Sequence, residues 1–225
     1  ETGVLLAAGR DLTMTSLATV TAQETVVATA DSTLRLGAIT APEIGLSAGG
    51  DILDANGAAI NLTAQQTSLR AGGSIGSSDL GNLPQANAAA IDTDVAVLAA
   101  ESFSGIYINE ADDILIGLVD AISISASATR IALAGSGESA DESAAVESLE
   151  DLTVFSEGVI KMVSTTGTIT ISDNDDNNSL GINLFSSDSV GDVLLQAAVD
   201  IVINAGILAT SSNITLIAGD DIDVN

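Results

Sequence analysis

Apolar residues along this chain recur in short alternating runs: aliphatic, any residue, aliphatic, each run preceded by a small or polar side chain. Val193 to Leu195 follows Asp192, Ile201 to Ile203 follows Asp200, Ile214 to Leu216 follows Asn213, and Ile222 to Val224 follows Asp221. These four runs start 8, 13 and 8 residues apart, which predicts two strands alternating within a unit of 21. Further copies stand at Ile60-Asn61-Leu62, Ile122-Ser123-Ile124, Ile131-Ala132-Leu133, Thr168-Ile169-Thr170-Ile171 and Gly181-Ile182-Asn183-Leu184. A period of two over so few residues marks a strand with one buried face.

A second phrase, Ala-Gly-x-[Asp/Ser]-[Ile/Leu], begins at Ala8, Ala48, Ala71 and Ala218. The separations of 40, 23 and 147 residues lie near two, one and seven multiples of the same unit. A fixed period of about 21 residues is the mark of a solenoid. Strands this short cannot each bury a face alone, but coils stacked on one another share inward aliphatic columns. The Ala-Gly step suits a corner, where a small side chain and a positive φ carry little penalty. The Asp or Asn before each strand is expected to cap its turn through nearby backbone N–H groups. The expectation is therefore an all-β chain, a single-stranded parallel β-helix running continuously over 1–225. It would have roughly 10–11 rungs of about 21 residues and a body on the order of 50 Å long. Two stretches break the pattern, 76–94 and 135–151. The first reads as a loop excursion. The second reads as an acidic loop or a short helix, since Ser139 and Glu142 have capping-box spacing ahead of Val146 and Leu149. A sandwich would show longer strands with Pro, Trp or Tyr landmarks, and a βαβ fold would show regular helical segments.

Composition sharpens this picture. Apolar types make up 46% of the 225 residues but aromatics only 2%, so the core must be aliphatic. Acidic residues number 31 against 5 Lys and Arg, a net charge of −26. That charge excludes nucleic acid and anionic membrane surfaces, which need basic patches. It suits a solubilising surface or divalent cations. There is no Cys and no His, which removes thiolate chemistry, the commonest general base and the commonest transition-metal ligand. No uninterrupted apolar run is long enough to insert in a membrane.

The stretches "GGDILDANGAAINLTAQQTSLRAGGSIGS" and "AAIDTDVAVLAAESFSGIYINEADDILIG" resemble the β-strand repeats of very large bacterial surface proteins. More distantly they are similar to the repeat region of filamentous haemagglutinin-type adhesins. The resemblance implies a parallel β-helix, extracellular or on the bacterial cell surface, serving as a stalk, adhesin or fibre. It implies no catalytic residues.

The densest polar constellation, Asp173-Asn174-Asp175-Asp176-Asn177-Asn178, follows the strand ending at Ile171. Asp173, Asp175 and Asp176 are the candidate ligands for Ca²⁺, which takes six to eight oxygens. The spacing matches neither an EF-hand nor a calcium β-roll, and a solvated Asx-rich turn is the alternative. Asp220, Asp221 and Asp223 form a weaker candidate. Enzymatic β-helices cleave polysaccharides with paired carboxylates, but here the cations are scattered and Phe103, Tyr107, Phe155 and Phe185 are the only aromatic platforms. The expected role is thus a non-catalytic structural segment. Its partners would be copies of itself or neighbouring repeats end to end, since the rung pattern is already running at Val4 and still running at Val224. An adhesin module that binds a glycan or cell-surface protein through 76–94 and 135–151 is the alternative, and a carbohydrate-active enzyme a remote one.

Overall fold

The computed structural model describes residues 3–77, 89–131, 137–156, 158–172, 179–185 and 191–225, and their side chains outside 126–141. Among the described residues, twenty-two strands belong to one hydrogen-bonded, parallel sheet that winds into a coil, and two more form a separate hairpin. This is the parallel β-solenoid expected from the alternation.

Each turn carries three faces rather than two strands. Face one runs through Val4–Ala8, Thr25–Ala30 and Glu43–Ala48, then the latter parts of Leu62–Ala71 and Ile91–Ser102, then Leu152–Val154, Leu180–Leu184 and Gly206–Ala209. Face two begins at Leu12–Thr13 and ends at Ile214–Ile217, and face three begins at Thr19–Thr21 and ends at Ile222–Val224. On face two one inward column reads Leu12, Leu34, Ile52, Ile75, Ile106, Ile160, Val193 and Ile214. On face one a parallel column reads Leu6, Ala28, Leu46, Leu69, Ala100, Leu152, Ile182 and Ile207. Successive coils therefore stack like on like, and the columns merge into one aliphatic core.

The described residues form eight coils, not ten or eleven, because the spacing is uneven. Successive members of the face-two column lie 22, 18, 23, 31, 54, 33 and 21 residues apart. At about 4.8 Å per step the eight coils span about 34 Å. The long intervals hold insertions. The excursion expected at 76–94 is shorter, since Ile91 to Asp94 already lie in the strand Ile91–Ser102, and residues 78–88 lie outside the described set. The segment expected at 135–151 as a loop or short helix is instead largely the strand Gly137–Val146, paired antiparallel with Ile122–Ile131. Ile122-Ser123-Ile124 accordingly leaves the wall. A helix cap is worth about 1 kcal/mol, whereas the hairpin gains a full strand pairing and an apolar contact. Ile122 and Val146 sit on the outer side of face one, in a second cluster with Val27, Ala99, Val119 and Leu149. A Cβ at Gly45 would meet Val146 and Ile122 at 3.1 to 3.2 Å, so glycine makes the room this contact needs.

The corner phrase also works differently from expectation. The positive-φ glycines among the described residues are Gly57, Gly76 and Gly105, none of them in an Ala-Gly step. What the corners require is close stacking. A Cβ on Gly49 would collide with the Asp31 carbonyl oxygen one coil below, one on Gly72 with that of Gly49, and one on Gly219 with that of Ala198. The Asp residues at the strand starts reach across coils instead of capping their own turns. Asp51 Oδ1 accepts from Ser74 N–H at 2.7 Å, Asp192 Oδ1 from Asn213 N–H at 3.0 Å, and Asp200 Oδ1 from Asp221 N–H at 3.0 Å. Asp11 Oδ1 takes the Thr33 N–H at 3.1 Å, and this bond holds its carboxyl below the usual range. The repeated Asp is a staple between coils.

Candidate functional site

The polar groups that the core admits gather around the fourth and fifth coils, where the faces change phase. Up to this point the strand Ile91–Ser102 continues from face three into face one without a corner. The next coil breaks into Gly105–Glu110 and Ile114–Ile116, which pair with that strand at Ile91 to Thr93 and at Val97 and Leu98. Between the two pairings, Asp94 to Ala96 face a corner, Ala111 to Asp113, rather than a ladder. Something must take the Val95 N–H.

Glu110 does so. Its strand alternates Ile106, Ile108, Glu110 inward, and its column partners are Thr93 below and Ser164 above, then Ala197. A carboxylate thus stands in a column otherwise made of small residues, and it is fully buried. Oε1 accepts from Val95 N–H at 3.2 Å and from Ala111 N–H at 2.9 Å, and lies 3.5 Å from Asp112 N. Oε2 accepts from Thr93 Oγ1 at 2.7 Å. Burial raises the Glu110 carboxyl to about 7, although each of these donors pulls it the other way. The carboxyl groups of Asp94 and Asp112, both exposed, lie within 4.8 Å of it and of each other. Glu110 gives most of its acceptor capacity to the protein's own donors, so the cluster is a staple with acidic neighbours, and no cation is assigned to it.

A second network flanks it. Asn61 is fully buried, and its Oδ1 accepts from Asp92 N–H at 2.9 Å. Its Nδ2 lies 2.8 Å from Asn56 Oδ1, 2.9 Å from Asp54 Oδ1, 3.1 Å from the Leu36 carbonyl and 3.2 Å from that of Gly37. Asp92 is 5% exposed; Asn109 Nδ2 donates to its Oδ1 at 2.7 Å while its Oδ2 has no partner. Burial raises the Asp92 carboxyl, the Asn109 bond opposes that, and nearby Asp54 adds to it.

The residues singled out from the sequence fare unevenly. Asp173, Asp175 and Asp176 lie outside the described residues. Asp220 and Asp221 come together with Asp200 rather than Asp223, in an exposed group already joined by the Asp200 to Asp221 bond. Phe155 and Phe185 stack in parallel, ring centroids 6.1 Å apart and 6° from coplanar, and the Phe155 N–H to Ser102 carbonyl bond sets Phe103 one coil below. All three rings stay exposed, at 54% for Phe103, 49% for Phe155 and 44% for Phe185, so this aromatic ladder is open to solvent. Tyr107 is buried.

Glu110 and Asn61 were missed for different reasons. The signal for Glu110 was present: Ile106 and Ile108 set the inward parity that it continues. Asn61 was hidden by reading Ile60 and Leu62 as one inward pair, whereas Ile60 is 36% exposed and the strand starts at Leu62. Comparison with protein-family models, with curated proteins and with solved structures finds no match to this chain.

Proposed function

We propose that this chain is a non-catalytic, rigid segment, a stalk, spacer or fibre subunit of a large secreted or cell-surface bacterial protein. The observation that carries the reading is the wall itself: like residues stack in register from coil to coil, and their columns merge into one aliphatic core along the whole coil axis. Carboxylates such as Asp51, Asp192 and Asp200 staple each coil to the next. Such a wall is stiff along its axis, and its repeat is one that neighbouring repeats or a second copy stacked end to end would continue. A charge of −26 keeps such a rod soluble along its sides. The non-catalytic part draws support from Glu110: the carboxyl best poised as a proton donor is enclosed by the wall and out of reach of a substrate.

Light scattering and negative-stain microscopy of the purified chain over a concentration series test the stacking. Mass growing with concentration, with rods of constant width, is expected. A small monomer at every concentration would count against end-to-end association. The alternative, an adhesin module for a glycan or cell-surface protein through 76–94 and 135–151, draws on the hairpin of Ile122–Ile131 with Gly137–Val146, which is separate from the wall's own sheet. It requires binding on a glycan or cell-surface array that disappears when residues 78–88 are replaced by a short Gly-Ser linker.

A further inference from the structure

The acidic corner at the fifth coil lies between the two insertions, and a rigid spacer has no need of a charge in its wall. Glu110 is enclosed, and Asp94 on the strand Ile91–Ser102 and Asp112 in the corner that follows Glu110 bring their carboxyls within 4.8 Å of its own. Asp113 stands next in that corner, its Oδ1 accepting the Thr168 N–H. Asp92, with Asp54 near it, is on the other side of the strand, in register with Asn109. The strand above, Ile160–Ser164, brings Ser164 into register with Glu110 and sets Lys161 against Tyr107, three positions before Glu110. The one ion pair between described side chains, Arg70 with Glu101 at 3.6 Å, is on face one. The corner itself, Ala111 to Asp113, carries no Lys or Arg.

We propose that this corner is a proton-operated latch in the solenoid wall. With Glu110 protonated, Ala111 to Asp113 stay closed over the strand Ile91–Ser102; with Glu110 ionised, the corner opens transiently and lets water reach the carboxylate. The bonds that break in the opening are those from Val95, Ala111 and Asp112 N–H to Glu110. The coils on either side keep their own ladders, so the event is local. Acid surroundings give a wall closed throughout, and neutral to alkaline surroundings give one that breathes at a single corner.

Amide hydrogen exchange of the full chain, read by NMR or by mass spectrometry with fragments covering 91–96 and 108–114, tests this. After correction for intrinsic exchange, protection of Val95, Ala111 and Asp112 is expected to fall by up to about a hundredfold from pH 5 to pH 8. A tenfold change corresponds to each pH unit over which one group alone controls the opening. The coil from Leu34 to Leu53 is expected to show no such fall. Glu110→Gln abolishes the fall. Thr93→Val, which keeps the carboxyl but removes a donor to its ionised form, enlarges it and serves if Glu110→Gln does not fold. Protection independent of pH in the unaltered chain, the same fall in Glu110→Gln, or a fall that chelator in the buffer removes would each overturn the latch.

Discussion

Replacing Asn61 by leucine asks whether the buried polar groups of this wall hold it together or are merely tolerated by it. Leucine has nearly the same size and would satisfy a hydrophobic account of the core. In the structure Asn61 takes the Asp92 N–H and gives its two amide hydrogens to a site with four oxygens around it. The Leu36 carbonyl also receives the Ala55 N–H, and Asp54 receives the Asn56 and Gly57 N–H groups, so these acceptors survive the loss. The Asp92 N–H and the Gly37 carbonyl are left buried without a partner. Each orphan costs about 1–3 kcal/mol, and the added apolar burial returns about 1–2 kcal/mol, for a net loss of about 2–4 kcal/mol. Urea unfolding followed by circular dichroism measures it, with the slope checked for loss of cooperativity, which long coils are prone to. Tyr107, the one Tyr in a chain without Trp, gives a second probe in the neighbouring coil. Asn61→Asp separates the explanations further. It places a new carboxyl against that of Asp54, beside Asn56 and two carbonyls, so its loss exceeds that of leucine at pH 7 and shrinks toward pH 4 as that carboxyl is protonated. Asn61→Leu within 0.5 kcal/mol of the unaltered chain, or more stable than it, would refute the reasoning.

Three further outcomes are expected. Glu110 has a folded value near 7 against an ordinary value of 4.5, so its ionisation opposes folding: the penalty is absent below pH 4.5, grows between the two values and is complete above 7. Glu110→Gln should therefore stabilise the chain at pH 8 by up to about 3 kcal/mol and change nothing at pH 4, as read from thermal melts across that range. Gly72→Ala, which forces a Cβ onto the Gly49 carbonyl oxygen, should lower Tm more than Gly57→Ala, where φ is +70° but a Cβ meets nothing within 4 Å and about 1 kcal/mol is expected. Leu69→Ala, in the middle of the face-one column, should cost about 2–5 kcal/mol in urea unfolding, with the loss shared by the adjacent coils.

Architecture was legible because inward aliphatics are repeated in register: Val193 and Leu195, Ile201 and Ile203, Ile169 and Ile171 all point inward as the alternation requires. The number of coils was not, since a uniform period cannot anticipate insertions of the size that separate Ile106 from Ile160. Ile122 and Ile124 show the ambiguity directly. Their alternation fits a wall strand, and only the vacancy above Gly45 decides that they lie on its outer side. Gly49 and Gly72 were placed at corners correctly but for the wrong cause, because a collision with the coil below is not written in the local sequence. Glu110 could have been found from parity alone. Its acidic neighbours could not, as Asp94 reaches it only through the phase change between coils.

The central claim is that one column position is repeated once per coil, so distance should follow coil number and not sequence separation. With no native Cys, spin labels can be placed cleanly by Arg35→Cys paired with Lys161→Cys or with Thr215→Cys. All three positions lie on the outer side of face two, in the second, sixth and eighth coils. Pulsed electron paramagnetic resonance should give the second pair a mean distance about 10 Å longer than the first, two steps of about 4.8 Å, on backbone separations of about 19 and 29 Å. Equal distances, or a shorter one for Arg35 and Thr215, would contradict a single wound wall.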